Sequence, residues 1–72
     1  MTAMRYRVES SVFTSVTYAA DATLDIEFTS GDRYRYFAVP RSLVLSLLQA
    51  ESKGAFFNRY IKPRFHAQRL GP

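Results

Sequence analysis

Basic side chains carry the most informative chemistry in this 72-residue sequence, because they are unevenly distributed. No acidic residue follows Glu51. The basic residues after it are Lys53, Arg59, Lys62, Arg64 and Arg69. This segment accounts for the formal net charge of +4, since the preceding part of the chain is nearly balanced. An uncompensated cationic segment favours a polyanionic partner such as nucleic acid, although a small protein can be basic without binding one.

A second candidate surface contains Arg33 and Arg35, which are two positions apart and would share one face of a strand. Together with Phe37 they could contact phosphates and stack on bases, as sheet surfaces do in several RNA-binding folds. Asp25 and Glu27 are also two positions apart and could pair with these arginines across a hairpin. The sequence leaves both interpretations open: a binding surface, or a solvated face with paired charges.

A third candidate is an anion or polar site formed by Ser52, Lys53 and Gly54 at the start of a predicted helix. Free amide groups and the helix dipole favour an anion at this position. Ser52 can equally be a simple N-cap, whose side-chain oxygen accepts a hydrogen bond from an amide in the first turn. The two interpretations remain alternatives at this level.

Catalysis has little support in the sequence. The one histidine, His66, has no acidic residue after it to orient the ring, and the carboxylates of Asp25 and Glu27 have cross-strand partners available. The chain contains no cysteine, no recognisable set of metal ligands and no glycine-rich phosphate loop. We therefore predict a protein that is not an enzyme and that has no cofactor or metal site.

The element that must position these residues is a hairpin over residues 24–37, in which apolar and charged residues alternate on both strands. A three-residue loop of Thr29, Ser30 and Gly31, with Gly31 in the left-handed conformation, would satisfy both faces. The predicted pairs are Leu24 with Tyr36, Asp25 with Arg35, Ile26 with Tyr34, and Glu27 with Arg33. A register shifted by one residue would expose the apolar face, which makes this alternative unfavourable.

Further elements flank the hairpin. Residues 12–18 are rich in β-branched and aromatic residues, and they predict a strand with Val16 and Phe13 on opposite faces. Pro40 is suited to a first helical turn. Two predicted helices follow with the same apolar spacing, namely Leu43, Val44, Leu47 and Leu48, then Phe56, Phe57, Tyr60 and Ile61. The prediction is an α+β fold: a three-stranded antiparallel β-meander with two C-terminal helices packed on one face.

The bulk properties predict one domain spanning residues 1–72, with residues 1–4 and 66–72 mobile. Residues 5–8 alternate weakly and are compatible with an extended arm along a sheet edge. No apolar run approaches the length of a membrane span, and the start of the chain lacks the apolar segment of a signal peptide. We expect a soluble cytoplasmic protein with no membrane partner, and the absence of cysteine fits a reducing compartment.

The order of these features resembles the KTSC domain, a small module found at the C-terminus of some lysyl-tRNA synthetases and as stand-alone proteins. The similarity runs from about Val8 to Lys62. Its matching residues are Val8-Glu9-Ser10-Ser11, Tyr18, the strand Leu24 to Phe28 followed by Gly31, Tyr34-x-Tyr36, Val39-Pro40, Ala50-x-Ser52-x-Gly54, Phe57-Asn58 and Ile61. The resemblance implies a non-catalytic module with a role in nucleic-acid binding, and it makes Ser10, Ser11, Ser52 and Asn58 candidates for a shared polar site.

Two functions remain in competition at this level. The first is a small RNA- or DNA-binding module that contacts phosphates through a basic C-terminal helix and arginines of the sheet. Its predicted contact residues are Arg33, Arg35, Lys53, Arg59, Lys62 and Arg64. The second is a protein-protein interaction or self-association module, which would use Leu45, Phe37 or an open sheet edge.

Overall fold

The hairpin has the predicted register. A computed structural model of the protein describes residues 4–7 and 12–72, and within it β3 (Leu24–Phe28) pairs with β4 (Arg33–Tyr36). Gly31 closes the loop with a φ of 97°, and its N–H donates to the carbonyl oxygen of Phe28 over 2.9 Å. The paired residues are Leu24 and Tyr36, Asp25 and Arg35, Ile26 and Tyr34, and Glu27 and Arg33. The prediction of loop and register is therefore confirmed.

The strand before the hairpin, β2 (Phe13–Tyr18), is interrupted by a bulge. Phe13 lies opposite Phe28 and Ser15 opposite Glu27, so that Thr14 is an extra residue in the pairing. The bulge turns Phe13 to the same face as Val16, and both side chains are fully buried. The prediction that these two residues lie on opposite faces was wrong, because strict alternation does not hold across a bulge.

The sheet has five strands and not three. β1 (Met4–Arg7) pairs with β2, and β5 (Ala67–Gly71) pairs with β4, giving an antiparallel sheet in the order β1-β2-β3-β4-β5. The prediction of a three-stranded β-meander was therefore wrong, because it included only β2, β3 and β4. The expectation of an extended arm near the N-terminus is confirmed by β1, whereas residues 1–3 lie outside the described residues.

The predicted mobile tail is instead a strand. The N–H of Phe37 donates to the carbonyl oxygen of His66 over 3.0 Å, just before β5 begins. Within β5, the guanidinium of Arg69 bonds the carboxylate of Asp32 at 2.9 Å. These contacts come from residues some thirty positions earlier in the chain, which explains why local sequence pattern did not predict the strand.

Two short helices cover one face of the sheet, which we call the inner face. α1 (Arg41–Gln49) directly follows Pro40 and buries Val44 and Leu47, as its apolar spacing predicted. α2 (Lys53–Phe56) continues into a π-helical segment (Phe57–Ile61). The wider turn is visible in the bond from the N–H of Lys62 to the carbonyl oxygen of Phe57, five residues back, at 2.9 Å.

Phe57 is the centre of the core. Its ring centroid lies 5.4 Å from that of Tyr36, 5.6 Å from that of Phe28 and 6.1 Å from that of Phe13, all in edge-to-face geometry. Tyr36 is thus directed inward, and the opposite face of the sheet, which we call the outer face, carries Arg33 and Arg35. No helix in the described part of the chain is long and apolar enough to span a membrane.

Candidate nucleic-acid interface

The predicted cationic residues divide into two groups that the fold separates. Arg33 and Arg35 are in β4 and lie on the outer face of the sheet. The other four are in or next to the helices that cover the inner face, namely Lys53, Arg59, Lys62 and Arg64. The six residues therefore do not form one continuous surface.

Arg35 on the outer face forms an ion pair with Asp25. Its Nε and Nη2 atoms donate to the two carboxylate oxygens of Asp25 over 2.8 and 2.9 Å. This hydrogen-bonded carboxylate raises the pKa of Arg35 above its already high ordinary value. The cross-strand pair predicted from the sequence is confirmed, and a bidentate pair of this kind leaves few donors of Arg35 for a phosphate.

Glu27 has a different partner from the one its position suggests. It lies opposite Arg33, but its Oε1 atom is 3.6 Å from Nη2 of Arg5 and accepts a hydrogen bond from Ser15 Oγ over 3.4 Å. Arg33 donates instead to the carbonyl oxygen of Pro72 over 3.3 Å. The partner that the sequence missed is Arg5, because residues 5–8 were predicted only as an arm along a sheet edge, with no register against β2.

A shallow cavity of about 200 Å³ on the outer face contains charges of both signs. Its polar lining is Arg5, Ser15, Thr17, Asp25, Glu27 and Arg33. Two carboxylates in such a small space oppose the approach of a phosphate, so the outer face is a poor polyanion site.

The start of α2 is explained by capping and packing. The Oγ atom of Ser52 accepts a hydrogen bond from the N–H of Ala55 over 3.3 Å, and Nζ of Lys53 donates to the carbonyl oxygen of Ala50 over 3.0 Å. A Cβ atom on Gly54 would lie only 2.6 Å from Cγ2 of Val12. The capping role predicted for Ser52 is confirmed, and an anion at this position stays a prediction.

Arg59, Lys62 and Arg64, which we call the C-terminal cations, are all exposed. None of them forms an ion pair with another residue in the described part of the chain. Apart from Glu51, the described acidic residues lie in or between β2, β3 and β4. The positive charge of the C-terminal cations is therefore uncompensated, which is the arrangement that attracts a polyanion. Asn58, another predicted site residue, is exposed in the same π-helical segment.

Tyr60 adds an aromatic group to this surface that the sequence analysis placed in the core. Tyr60 is 37% exposed, and its ring centroid is 4.8 Å from that of Phe56. The guanidinium carbon of Arg59 is 5.6 Å from the centre of the Tyr60 ring. The apolar spacing assumed an α-helix throughout, and a π-helical turn, which holds more residues, changes the direction of the side chains within it.

His66 lies close to Phe37, with ring centroids 5.8 Å apart. The carbonyl oxygen of His66 accepts the hydrogen bond from the N–H of Phe37, directly before β5 begins, so His66 has a structural role. Among the described residues, no three histidine or acidic side chains are grouped in a way that could hold a metal ion.

The fold and the charge distribution define a small α+β domain, with paired charges on the outer face of its sheet and uncompensated cations on the helical side. Residues 9–65 match the family model of the KTSC domain, and the chain belongs to this family. The resemblance found in the sequence is thereby confirmed. Its segment Val8 to Ser11, which includes Ser10 and Ser11, lies outside the described residues.

Two relatives of similar length support this assignment. The crystal structure of a KTSC domain protein from Yersinia pestis superposes with a TM-score of 0.90 at 32% sequence identity, covering 97% of this chain and 100% of that one. An uncharacterized protein from Stutzerimonas stutzeri is 41% identical over 63 residues, which are 86% of this chain and 89% of that protein.

A third relative is much longer than this chain. A lysine–tRNA ligase from Nostoc punctiforme is 44% identical over 63 residues, which are 86% of this chain but only 11% of the ligase. The similarity is therefore to one small part of that enzyme.

Proposed function

We propose that this KTSC domain is a non-catalytic nucleic-acid-binding module whose main phosphate contacts are Arg59, Lys62 and Arg64. The main support for the proposal is the difference between the basic residues of the sheet and the C-terminal cations. Three basic residues of the sheet, Arg5, Arg35 and Arg69, are within ion-pair distance of a carboxylate, whereas the C-terminal cations have no such partner among the described residues.

The polyelectrolyte character of nucleic acid explains why uncompensated cations matter. Each phosphate that a basic side chain neutralises releases condensed counterions, and this release drives binding. A cation that already has a carboxylate partner gives up that ion pair when it binds a phosphate, so its net contribution is smaller. Arg33, Arg35 and Lys53 each have an intramolecular acceptor, and we therefore do not count them among the phosphate contacts.

The similarity to a lysine–tRNA ligase favours RNA over DNA. That enzyme is named for a reaction on tRNA, and one segment of it is 44% identical to this chain. A module that contacts RNA phosphates would be useful both within such an enzyme and as a separate protein.

Binding of a fluorescein-labelled RNA, measured by fluorescence anisotropy at about 50 mM salt, tests the proposal. The variant Arg59→Gln/Lys62→Gln should weaken binding about ten-fold or more. The matched control is Arg5→Gln/Arg33→Gln, which removes the same net charge from the outer face and should stay within about three-fold of the wild type. Equal loss in both variants would show that only net charge matters, and the interface proposed for the C-terminal cations would be wrong.

A second candidate function, a protein-interaction or self-association module, is favoured by one feature of the helical side. Leu45 is 45% exposed and lies at a cavity of about 490 Å³ between α1 and the strands β1 and β2. Tyr6, Tyr18 and Arg41 also line this cavity. Large exposed apolar side chains beside a cavity are common at protein contacts.

Sedimentation velocity over a wide concentration range tests this second candidate. Association of the wild type that Leu45→Glu weakens would support self-association. Ser46→Glu is the matched control, because Ser46 is exposed on the same helix and receives the same charge. A wild type that stays monomeric at every concentration would count against self-association.

A further inference from the structure

We infer that Tyr60 is a base-stacking residue and that the module therefore prefers single-stranded nucleic acid to a duplex. The inference rests on the proposed function and adds the form of the nucleic acid. It starts from exposure: of the eleven aromatic side chains, all within the described part of the chain, only Tyr60 is exposed.

The ring of Tyr60 is held by its neighbours. Phe56 lies one turn earlier with its ring centroid 4.8 Å away and the two ring planes tilted by 44°. Arg59 places its guanidinium carbon 5.6 Å from the Tyr60 ring centre, within the range of a cation–π contact. A ring supported in this way loses little side-chain freedom when a base stacks on it, which favours binding.

The core explains why Tyr60 stays in this position. Phe57 and Ile61 of the same π-helical segment are buried, with exposures of 2% and 0%. Their burial fixes the rotation of the segment, so that Tyr60 remains at the surface. The contacts with Phe56 and Arg59 hold the ring at this position, and part of it stays open to solvent.

The surrounding charge supplies the second requirement of a single-strand site. Surfaces that bind single strands combine cations that follow the phosphates with aromatic rings on which bases stack. The C-terminal cations can follow the phosphates, because they surround Tyr60 in the sequence. Arg59 directly precedes Tyr60, and the other two, Lys62 and Arg64, follow it within four positions. A duplex keeps its bases stacked on each other, so it offers phosphates to this surface but no base for the Tyr60 ring.

The experiment compares a 12-nucleotide single-stranded RNA with an RNA duplex of the same length, using wild type, Tyr60→Leu and Tyr60→Phe. Leucine keeps an apolar side chain but removes the π face, whereas phenylalanine keeps the π face. We expect Tyr60→Leu to weaken single-strand binding about 5- to 100-fold and Tyr60→Phe to retain it. Duplex binding should change less than two-fold in both variants. Leu45→Ala, which truncates another exposed apolar residue, is the control and should bind like the wild type.

The outcomes separate this inference from the proposed function. If the wild type binds both RNAs equally and Tyr60→Leu changes neither, the stacking role is overturned while nucleic-acid binding stands. If the wild type binds neither RNA, the proposed function fails, and the inference fails with it. Circular dichroism establishes that each variant is folded. If Tyr60→Leu is unfolded, single-strand binding by Tyr60→Ser decides the same question.

Discussion

Arg35 and Asp25 face each other across β3 and β4 and form a bidentate ion pair, with nitrogen–oxygen distances of 2.8 and 2.9 Å. The pair lies on the outer face of the sheet, where Glu27 is also within reach of Arg5 at 3.6 Å. These contacts compensate the charges of the sheet locally. Apart from Arg33, which donates to a backbone carbonyl oxygen, the described cations without a carboxylate partner are consequently on the helical side.

Removing the pair should therefore leave nucleic-acid binding intact. The variant Asp25→Asn/Arg35→Gln keeps the net charge of the protein, and we expect its RNA affinity to stay within about two-fold of the wild type. Its free energy of unfolding should fall only slightly, because the pair is partly exposed to solvent. Anisotropy and urea denaturation measure the two quantities. A large loss of affinity would mean that Arg35 contacts phosphate.

Gly54 lies close to Val12, and the substitution Gly54→Ala therefore has two opposite effects on stability. Helix propensity alone makes Gly54→Ala stabilising by about 1 kcal/mol. The added Cβ would lie 2.6 Å from Cγ2 of Val12, a stiff β-branched side chain, and overpacking of this kind costs about 1–3 kcal/mol. We expect net destabilisation in urea denaturation.

A matched background identifies the cause of the Gly54 effect. The Val12→Ala variant lacks the Cγ2 atom that crowds position 54. In this variant, the additional change Gly54→Ala should therefore raise the free energy of unfolding, as helix propensity alone predicts. A Gly54→Ala variant that is more stable than the wild type would contradict the account of α2 packed closely on the start of β2.

The central hairpin was predictable because every local signal agreed. Apolar and charged residues alternate on both strands, and Gly31 supplies the left-handed residue that a three-residue loop requires. The apolar spacing of α1 was equally informative, since Val44 and Leu47 are buried. In these elements the sequence pattern and the tertiary contacts favour the same structure.

The errors occur where a distant contact decides the structure. Strand β5 has no β-branched residue, and it pairs with β4, which lies about thirty positions earlier in the chain. Phe13 is buried because of a bulge, and Tyr60 is exposed in a π-helical segment. Neither irregularity has a clear local signal, so the candidate stacking residue emerged only from the structure. The charge asymmetry, in contrast, was visible in the sequence.

Ala38 has a φ of 58°, a left-handed conformation that costs an L-residue about 1 kcal/mol or more. It precedes Val39, whose N–H donates to the carbonyl oxygen of Ala22 over 2.9 Å and whose carbonyl oxygen accepts from Tyr18 Oη over 2.7 Å. We expect Ala38→Gly to stabilise the protein by about 0.5–1 kcal/mol in urea denaturation. Ala20→Gly, at an exposed turn position without a positive φ, is the control and should not be stabilising.

The contact between Asp32 and Arg69 should make stability depend on acid pH. The hydrogen bond from Arg69 lowers the pKa of Asp32 in the folded protein below its ordinary value of 3.8. Because the pKa of Asp32 is lower in the folded than in the unfolded protein, the ionised carboxylate stabilises the folded state. This stabilisation is complete above the unfolded-state pKa and is lost as the pH falls through the folded-state pKa. Melting temperatures measured from pH 5 to pH 2 should therefore decrease more for the wild type than for Asp32→Asn. Equal decreases would show that this contact does not stabilise β5.

The salt dependence of RNA binding tests the central claim most directly. Three phosphate contacts on a single strand predict a slope of log K against log salt of about −2, and loss of two contacts in Arg59→Gln/Lys62→Gln should make it shallower by about 1.4. The control Arg5→Gln/Arg33→Gln should keep the wild-type slope. A flat response of the wild type, or a slope that the Arg59→Gln/Lys62→Gln change does not alter, would contradict phosphate binding by the C-terminal cations.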